Sequence, residues 1–410
     1  IAPDVDYEGA EFCLAAVDYN KSSATSKWNA VNYCEVFADT ESGDPLNDSI
    51  YRRNLAVSND LNIKITQYVL PGLSQTGSEI QKLVLADDDT VDYAMVTAYT
   101  LQTLLGSGCL IDLGGIPTLD LSRSWWDKNA LEEFTMFGKT HVITGDISLY
   151  TAYSAICYFF NKQLFDTLRL DDPYQLVYDG KWTIDRAIEM CKIAARDLDG
   201  DSAMTVADSF GMLCEPDSMR YTALACGVRF TEKDSTGIPA LAVDVERAAA
   251  LIEKMVPFMT DRDTNILSTN FNAQYTSPFT DLMLPMFYEN RALFYNNQIL
   301  VALNLRAMDA DFGVLPPPKL NEAQDSYLCP INTWWSTFAV VPKTNTDLEM
   351  TGHVLEAMGY HSQQILTPAF IDTTVRHKAL RDEDSSNMLN LIFENRVYDI
   401  ANIYDFGGVQ

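Results

Sequence analysis

Paired cysteines are what this chain most plainly lacks. Its eight cysteines (Cys13, Cys34, Cys109, Cys157, Cys191, Cys214, Cys226 and Cys329) include no Cys-x-x-Cys pair. None of the four histidines stands near a cysteine at zinc-ligand spacing, which argues against a zinc site. Positive charge is also scarce: 29 basic against 57 acidic residues leave a net charge of −28. Phosphate recognition draws on clustered Lys and Arg, so nucleic acid is not an expected partner, nor is a polyanionic substrate. No apolar run approaches the roughly 18 residues that span a bilayer. The chain contains no G-x-S-x-G elbow, P-loop, H-E-x-x-H, or G-x-G-x-x-G after a strand, so the common catalytic signatures are missing too. A pair of acids suffices for a glycoside hydrolase, and an acid-rich chain always offers such pairs.

What is present is a packed globular sequence. Hydrophobic residues make up 47%, against 20 glycines and 16 prolines, and 410 residues exceed one ordinary core. Apolar patterning predicts a strand at 12–17, a helix at 46–57 after the Gly43, Asp44, Pro45 breaker, a strand at 62–69, a helix at 79–85 and a strand at 93–96. That is a βαβαβ unit. Right-handed crossovers make its sheet largely parallel, with ligands met at the carboxyl ends of the strands.

Residues 158–183 read YFFNKQLFDTLRLDDPYQLVYDGKWT. The aromatic run Tyr158, Phe159, Phe160 suits a buried strand; Pro173 breaks the preceding helix, and Thr183 is placed to N-cap a helix at 184–195. The order of Tyr158, Asn161, Lys162, Leu164, Phe165, Pro173, Trp182 and Thr183 resembles extracellular solute-binding proteins of bacterial ABC importers (family 1, sugar-binding-like), where the chain first enters the second lobe. Residues 86–113, with Asp92 opening a strand and Leu113 closing a βα turn, and 338–343 (FAVVPK) resemble further pieces of that family in the same order.

The resemblance implies a periplasmic-binding-protein-like α/β fold: two α/β lobes joined by a multi-strand hinge. It places residues 1–150 and 288–311 in lobe 1, 151–287 and 312–345 in lobe 2, and 346–410 in a C-terminal helical segment packing across both. A hairpin is expected at 139–146, a lobe 2 helix at 245–259, and a return turn at Asn296 and Asn297. The implied function is capture of a small solute, a carbohydrate, in the interlobe cleft by a monomeric, non-enzymatic binder that delivers it to a membrane permease. The implied location is extracellular, with a lipoprotein anchor; the sequence begins at Ile1 without a leader, so any anchor would have been removed. In an exported protein, Cys13 with Cys34, or Cys214 with Cys226, could pair; Cys157 and Cys191 are expected as buried thiols.

By position in the resembling fold, the expected solute contacts are Tyr99, Arg220 and Tyr221 (within EPDSMRY), Asn296, Gln298, Trp334 and Trp335. The two adjacent tryptophans would face opposite sides of a strand, so one core cannot bury both. Trp125 and Trp126, followed by Asp127 and Lys128, suggest a surface helix start.

Residues 197–208 (DLDGDSAMTVAD) carry carboxylates at loop positions one, three, five and twelve, the oxygen-ligand spacing of an EF-hand-like calcium loop. The expected calcium ligands are Asp197, Asp199, Asp201, the Ala203 carbonyl and Asp208. Ser202 replaces the usual glycine at position six, and Asp208 the usual glutamate. Two rival readings remain open, a glycoside-hydrolase-type enzyme and a calcium-dependent surface adhesion module.

Overall fold

The computed structural model describes residues 5–19, 21, 34–305, 308–375 and 383–404. Thirteen strands order these segments: β1 (Ala10–Val17), β2 (Ile63–Leu70), β3 (Tyr93–Thr97), β4 (Ile156–Asn161), β5 (Phe210–Cys214), β6 (Thr231–Lys233), β7 (Pro239–Leu241), β8 (Asn265–Leu267), β9 (Ala292–Gln298), β10 (Phe312–Leu315), β11 (Cys329–Pro330), β12 (Thr337–Val340) and β13 (Arg396–Val397). Two larger sheets dominate. The first runs β12-β3-β1-β2 and the second β10-β4-β9-β5-β8.

In the first sheet β1 is parallel to β2 and β3, with Ala10 opposite Ile63 and Leu14 opposite Tyr93. That is the parallel βαβαβ unit the apolar pattern predicts. β12 closes this sheet antiparallel to β3. In the second sheet β4 is antiparallel to both β10 and β9, and β5 is parallel to β9 and β8. Pairing on both sides satisfies the backbone of β4, and all of Ile156–Asn161 is buried, so both of its faces are covered.

The motif at the end of β4 has a local cause. Asn161 is fully buried; its Oδ1 accepts the Leu164 N–H at 2.9 Å, capping the helix Lys162–Leu168, and its Nδ2 donates to Asn290 Oδ1 at 2.6 Å. Trp182 has no exposed surface: its indole N–H donates to the Pro316 carbonyl at 2.8 Å, and its ring meets Tyr158 and Phe294 at centroid distances of 6.0 and 5.4 Å. Thr183 caps the helix Ile184–Ala194. Gly211 in β5 is fixed by that helix, because a Cβ there would lie 2.3 Å from Cys191 Cβ. Pro173 opens its own short helix behind the N-cap Asp172.

Several expectations need correcting. Residues 292–298, expected in lobe 1, form the centre of the second sheet, and 337–340, expected in lobe 2, are the edge of the first. Asn296 and Asn297 are not a turn: β9 continues through both, with Asn296 opposite Tyr158. Trp126 is buried, its indole N–H donating to Glu356 at 3.2 Å, although the helix that follows is capped by Asp127 as expected. All eight cysteines are free thiols. Cys214 and Cys226 sit against different carbonyls, Ile266 and Pro318, and Cys13 lies on β1 with its backbone N–H bonded to Asp92.

The two sheets are joined where residues 149–156 lead into β4 and where the chain leaves β11 for β12. These segments touch: Ala155 bridges Ile331, and the Asn332 N–H donates to the Ser154 carbonyl at 2.8 Å. The tail then spans both sheets. Its helix Leu348–His361 packs on Pro45–Leu61, Glu383–Glu394 lies against β10, β13 pairs with β11, and Ile400–Tyr404 returns to Ala98–Leu105.

Candidate functional site

The carboxyl ends of β5 and β9, the loop after β2, and the turn before β12 converge on one cavity of about 400 Å³. That is within the ordinary size range of small-ligand sites. Residues from both lobes line it. Leu73 follows β2; Glu215, Pro216, Asp217, Ser218 and Tyr221 follow β5; Asn296, Asn297 and Gln298 end β9; Asn332, Trp334 and Trp335 occupy the joining segment. Ile156, Phe279 and Val301 complete the apolar wall.

The two tryptophans stand on a turn and not, as expected, on alternating strand positions. Asn332 builds that turn: its Oδ1 accepts the Trp334 N–H at 2.9 Å, and its carbonyl accepts from Trp335 and Ser336 at 3.3 and 3.1 Å. Trp334 remains 44% exposed and Trp335 only 8%. Each is braced by a tyrosine. Tyr99 stacks on Trp334 with centroids 3.9 Å apart and planes 18° apart; Tyr19 stacks on Trp335 at 5.9 Å and 18°.

Five of the seven expected contacts therefore meet at the cavity: Tyr221, Asn296, Gln298, Trp334 and Trp335. Tyr99 is a support and not a wall, its ring being spent on Trp334. Arg220 also departs from expectation. Its guanidinium lies 5.1 Å from the Tyr221 ring centroid, donates to the Tyr221 hydroxyl at 3.2 Å and pairs with Asp217 at 3.4 Å, beside a neighbouring apolar depression.

The amides are partly committed. Asn296 Nδ2 donates to the Cys157 carbonyl at 3.2 Å, whereas the buried Gln298 Oε1 has no donor among the described residues. Glu215, which the sequence argument passed over in favour of Arg220 and Tyr221, is, with Asp217, one of two carboxylates at the cavity. Ser268 donates to its Oε2, while Oε1 is buried without a donor among the described residues. Burial holds its carboxyl above the usual range, the Ser268 bond opposing and Asp217 adding. A signal was available, since Glu215 directly follows the carboxyl end of β5, where open α/β sheets meet ligands.

The acidic loop lies elsewhere, after the helix Ile184–Ala194. Carboxylate oxygens of Asp197, Asp199 and Asp208 lie within 4.8 Å of one another. Asp201 is not part of this group; its Oδ1 accepts the Ala203 N–H at 2.8 Å. Asp208 also serves the loop itself, accepting from Leu198 and Thr205 N–H at 2.9 and 2.7 Å, bonds that lower its pKa. Ser202, at position six, adopts φ +69°, the left-handed conformation for which glycine is usual.

Two α/β lobes, several chain crossings and a cavity at their junction define the periplasmic-binding-protein-like fold of two-lobed solute-binding proteins. Among solved structures with this fold, UspC from Mycobacterium tuberculosis aligns with a TM-score of 0.62 at 13% identity, covering 94% of this chain and 89% of that one. An ABC substrate-binding protein from Listeria monocytogenes in complex with cycloalternan gives 0.58 at 12%, covering 97% and 90%. UgpB from Mycobacterium tuberculosis in complex with glycerophosphocholine gives 0.59 at 13%, covering 90% and 88%. No protein-family model and no curated protein sequence matches the chain.

Proposed function

We propose that this chain is the solute-capturing component of an ABC importer, taking a small carbohydrate into the cleft between its lobes. The observation that carries this reading is the cavity itself. A half-exposed, braced indole stands beside the buried amides of Asn296 and Gln298, the pairing of flat apolar surface and fixed polar groups that a sugar ring requires. Solved neighbours include an ABC substrate-binding protein in complex with cycloalternan and a cyclo/maltodextrin-binding protein complexed with maltotetraose, which favours binding over turnover as the function. A membrane permease is the partner of such a component, and an extracellular, lipid-anchored monomer its natural form. Among the described residues no helix is long and apolar enough to cross a membrane.

A thermal-shift screen of mono- and oligosaccharides, amino acids, peptides and polyamines tests this, because a ligand that binds only the folded state raises Tm. Small-angle scattering with the best solute should then show compaction. A screen in which no carbohydrate raises Tm overturns the carbohydrate reading.

We also propose that the loop 197–208 holds Ca²⁺ as a structural ion. Three converging carboxylates and the left-handed Ser202 support this, since such charges repel one another without a cation. Calorimetric titration with Ca²⁺ tests it, and absence of heat would refute it.

A further inference from the structure

The cavity is lopsided in charge. Among the described residues none of its lining side chains is Lys, Arg or His, while two are carboxylates. Asp217 is answered by Arg220 at 3.4 Å. Glu215 is not answered: Ser268 serves one oxygen, and the other is buried with no donor among the described residues. Among the described residues the titratable groups acting on it or feeling its charge are Asp217, Tyr295 and Cys214, and none of these brings positive charge. A buried carboxylate oxygen without a donor is costly, so its retention at a ligand cavity points to a donor that arrives with the ligand. The rings of Tyr221, Phe279, Trp334 and Trp335 line the same space, and a cation that meets a ring face is attracted to it. The net charge of −28 would raise the local concentration of a cationic solute.

We propose that the solute carries a protonated amine that pairs with Glu215, making the cargo an amino-substituted carbohydrate and not a neutral one. The sugar part rests on the function proposed above; the amine part rests on the cavity alone. Because the Glu215 carboxyl is held above its usual range, an ammonium would also draw it into the charged form.

Calorimetry on the full chain decides this with four probes: a chitosan tetrasaccharide with free amines, its fully N-acetylated counterpart, cellotetraose, and spermidine. The free-amine oligomer should bind at least about tenfold tighter than both neutral oligosaccharides, as a charge-assisted bond exceeds a neutral one. Glu215→Gln should shrink that ratio to roughly threefold or less, by turning the bond into a neutral one. Equal or tighter binding of the neutral oligosaccharides overturns the amine and leaves the carbohydrate reading standing. Spermidine binding that Glu215→Gln abolishes, with no oligosaccharide bound, upholds the amine and refutes the carbohydrate. Silence from all four overturns both. The wild-type comparison needs no variant, so it decides the matter even if Glu215→Gln does not fold.

Discussion

Trp334→Ala tests most directly where a solute binds, because folding leaves nearly half of this large cavity side chain uncovered. A tryptophan offers up to about 250 Å² of surface, and 44% exposure leaves roughly 110 Å² for a solute to cover. A sugar face that covers half of this removes about 55 Å² from water, which at ~25 cal/mol per Å² contributes about 1.4 kcal/mol, a factor of ten in Kd. Truncation also removes the part of the ring that the fold buries, roughly 140 Å² or about 3.5 kcal/mol at the same coefficient, and the Tyr99 stack adds about 0.5–1.5 kcal/mol. The variant should therefore unfold at a lower denaturant midpoint, and under conditions where it is folded it should bind the best carbohydrate of the screen about tenfold more weakly by calorimetry. Trp335→Ala should destabilise by about 3–5 kcal/mol in the manner of a core truncation, but at 8% exposure its ring offers a solute little further surface. A folded Trp334→Ala protein with an affinity within twofold of wild type would refute the placement of the solute against this ring.

Saturating Ca²⁺ at about 100 times its Kd should stabilise the fold by about 2.7 kcal/mol, and Asp197→Asn combined with Asp199→Asn should erase the effect in chemical denaturation. Thiol labelling of the native protein should report at most Cys13, the one cysteine not buried, and all eight after denaturation, with reductant leaving Tm unchanged. Glu35 is buried among Ser148, Tyr150 and Thr337, near Arg53, Tyr19, Cys34 and Tyr93, and burial pushes it up from 4.5 to about 7. Between those values the folded chain holds a proton that the unfolded chain has lost, so stability falls as pH rises across this window, by roughly 3 kcal/mol at most. Wild type minus Glu35→Gln, measured by denaturant unfolding from pH 4.5 to 7, isolates this slope; a flat difference would refute it.

Local chemistry was the part of this structure that the sequence could disclose. Asn161 ends a strand and caps a helix with one side chain, so its position fixes both boundaries; Thr183 and Asp127 act similarly at their helices. Strand membership was less accessible. β4, β5 and β9 are all short buried runs, and nothing within 292–298 says which sheet receives it; the answer lies in its pairing with Tyr158 and Phe210, more than 80 residues away. The site shows the same division. Asn296, Gln298 and the tryptophans were reached by position in the resembling fold, the two amides at a return turn that is strand in the structure, and the tryptophans also on a strand alternation that does not exist there. Glu215 was missed because no strand was read at 210–214, so nothing singled out this one acid among 57 as following a strand's carboxyl end.

The position of the site relative to the chain crossings bears on how occupancy could move the lobes. Ser148 and Thr337 hydroxyls meet at 2.9 Å, and Thr151 Oγ1 donates to the Thr337 carbonyl at 2.6 Å, so the two joining segments are tied side by side. The Ile299 N–H adds the exit from β9 to the same bundle, donating to the Ala155 carbonyl at 2.9 Å. Asn332, Trp334, Trp335 and Ile156 belong to this bundle and also line the cavity. A solute held by them touches the backbone that must rotate if one lobe turns against the other, in addition to touching each lobe. Under the proposed function, a solute that meets Leu73 on one side and Glu215 on the other would favour interlobe angles at which both contacts form, and a ligand shifts an equilibrium only through such a difference in contacts. Under the proposed function, the indole that would give the solute its flat surface also belongs to the joining segment between the lobes.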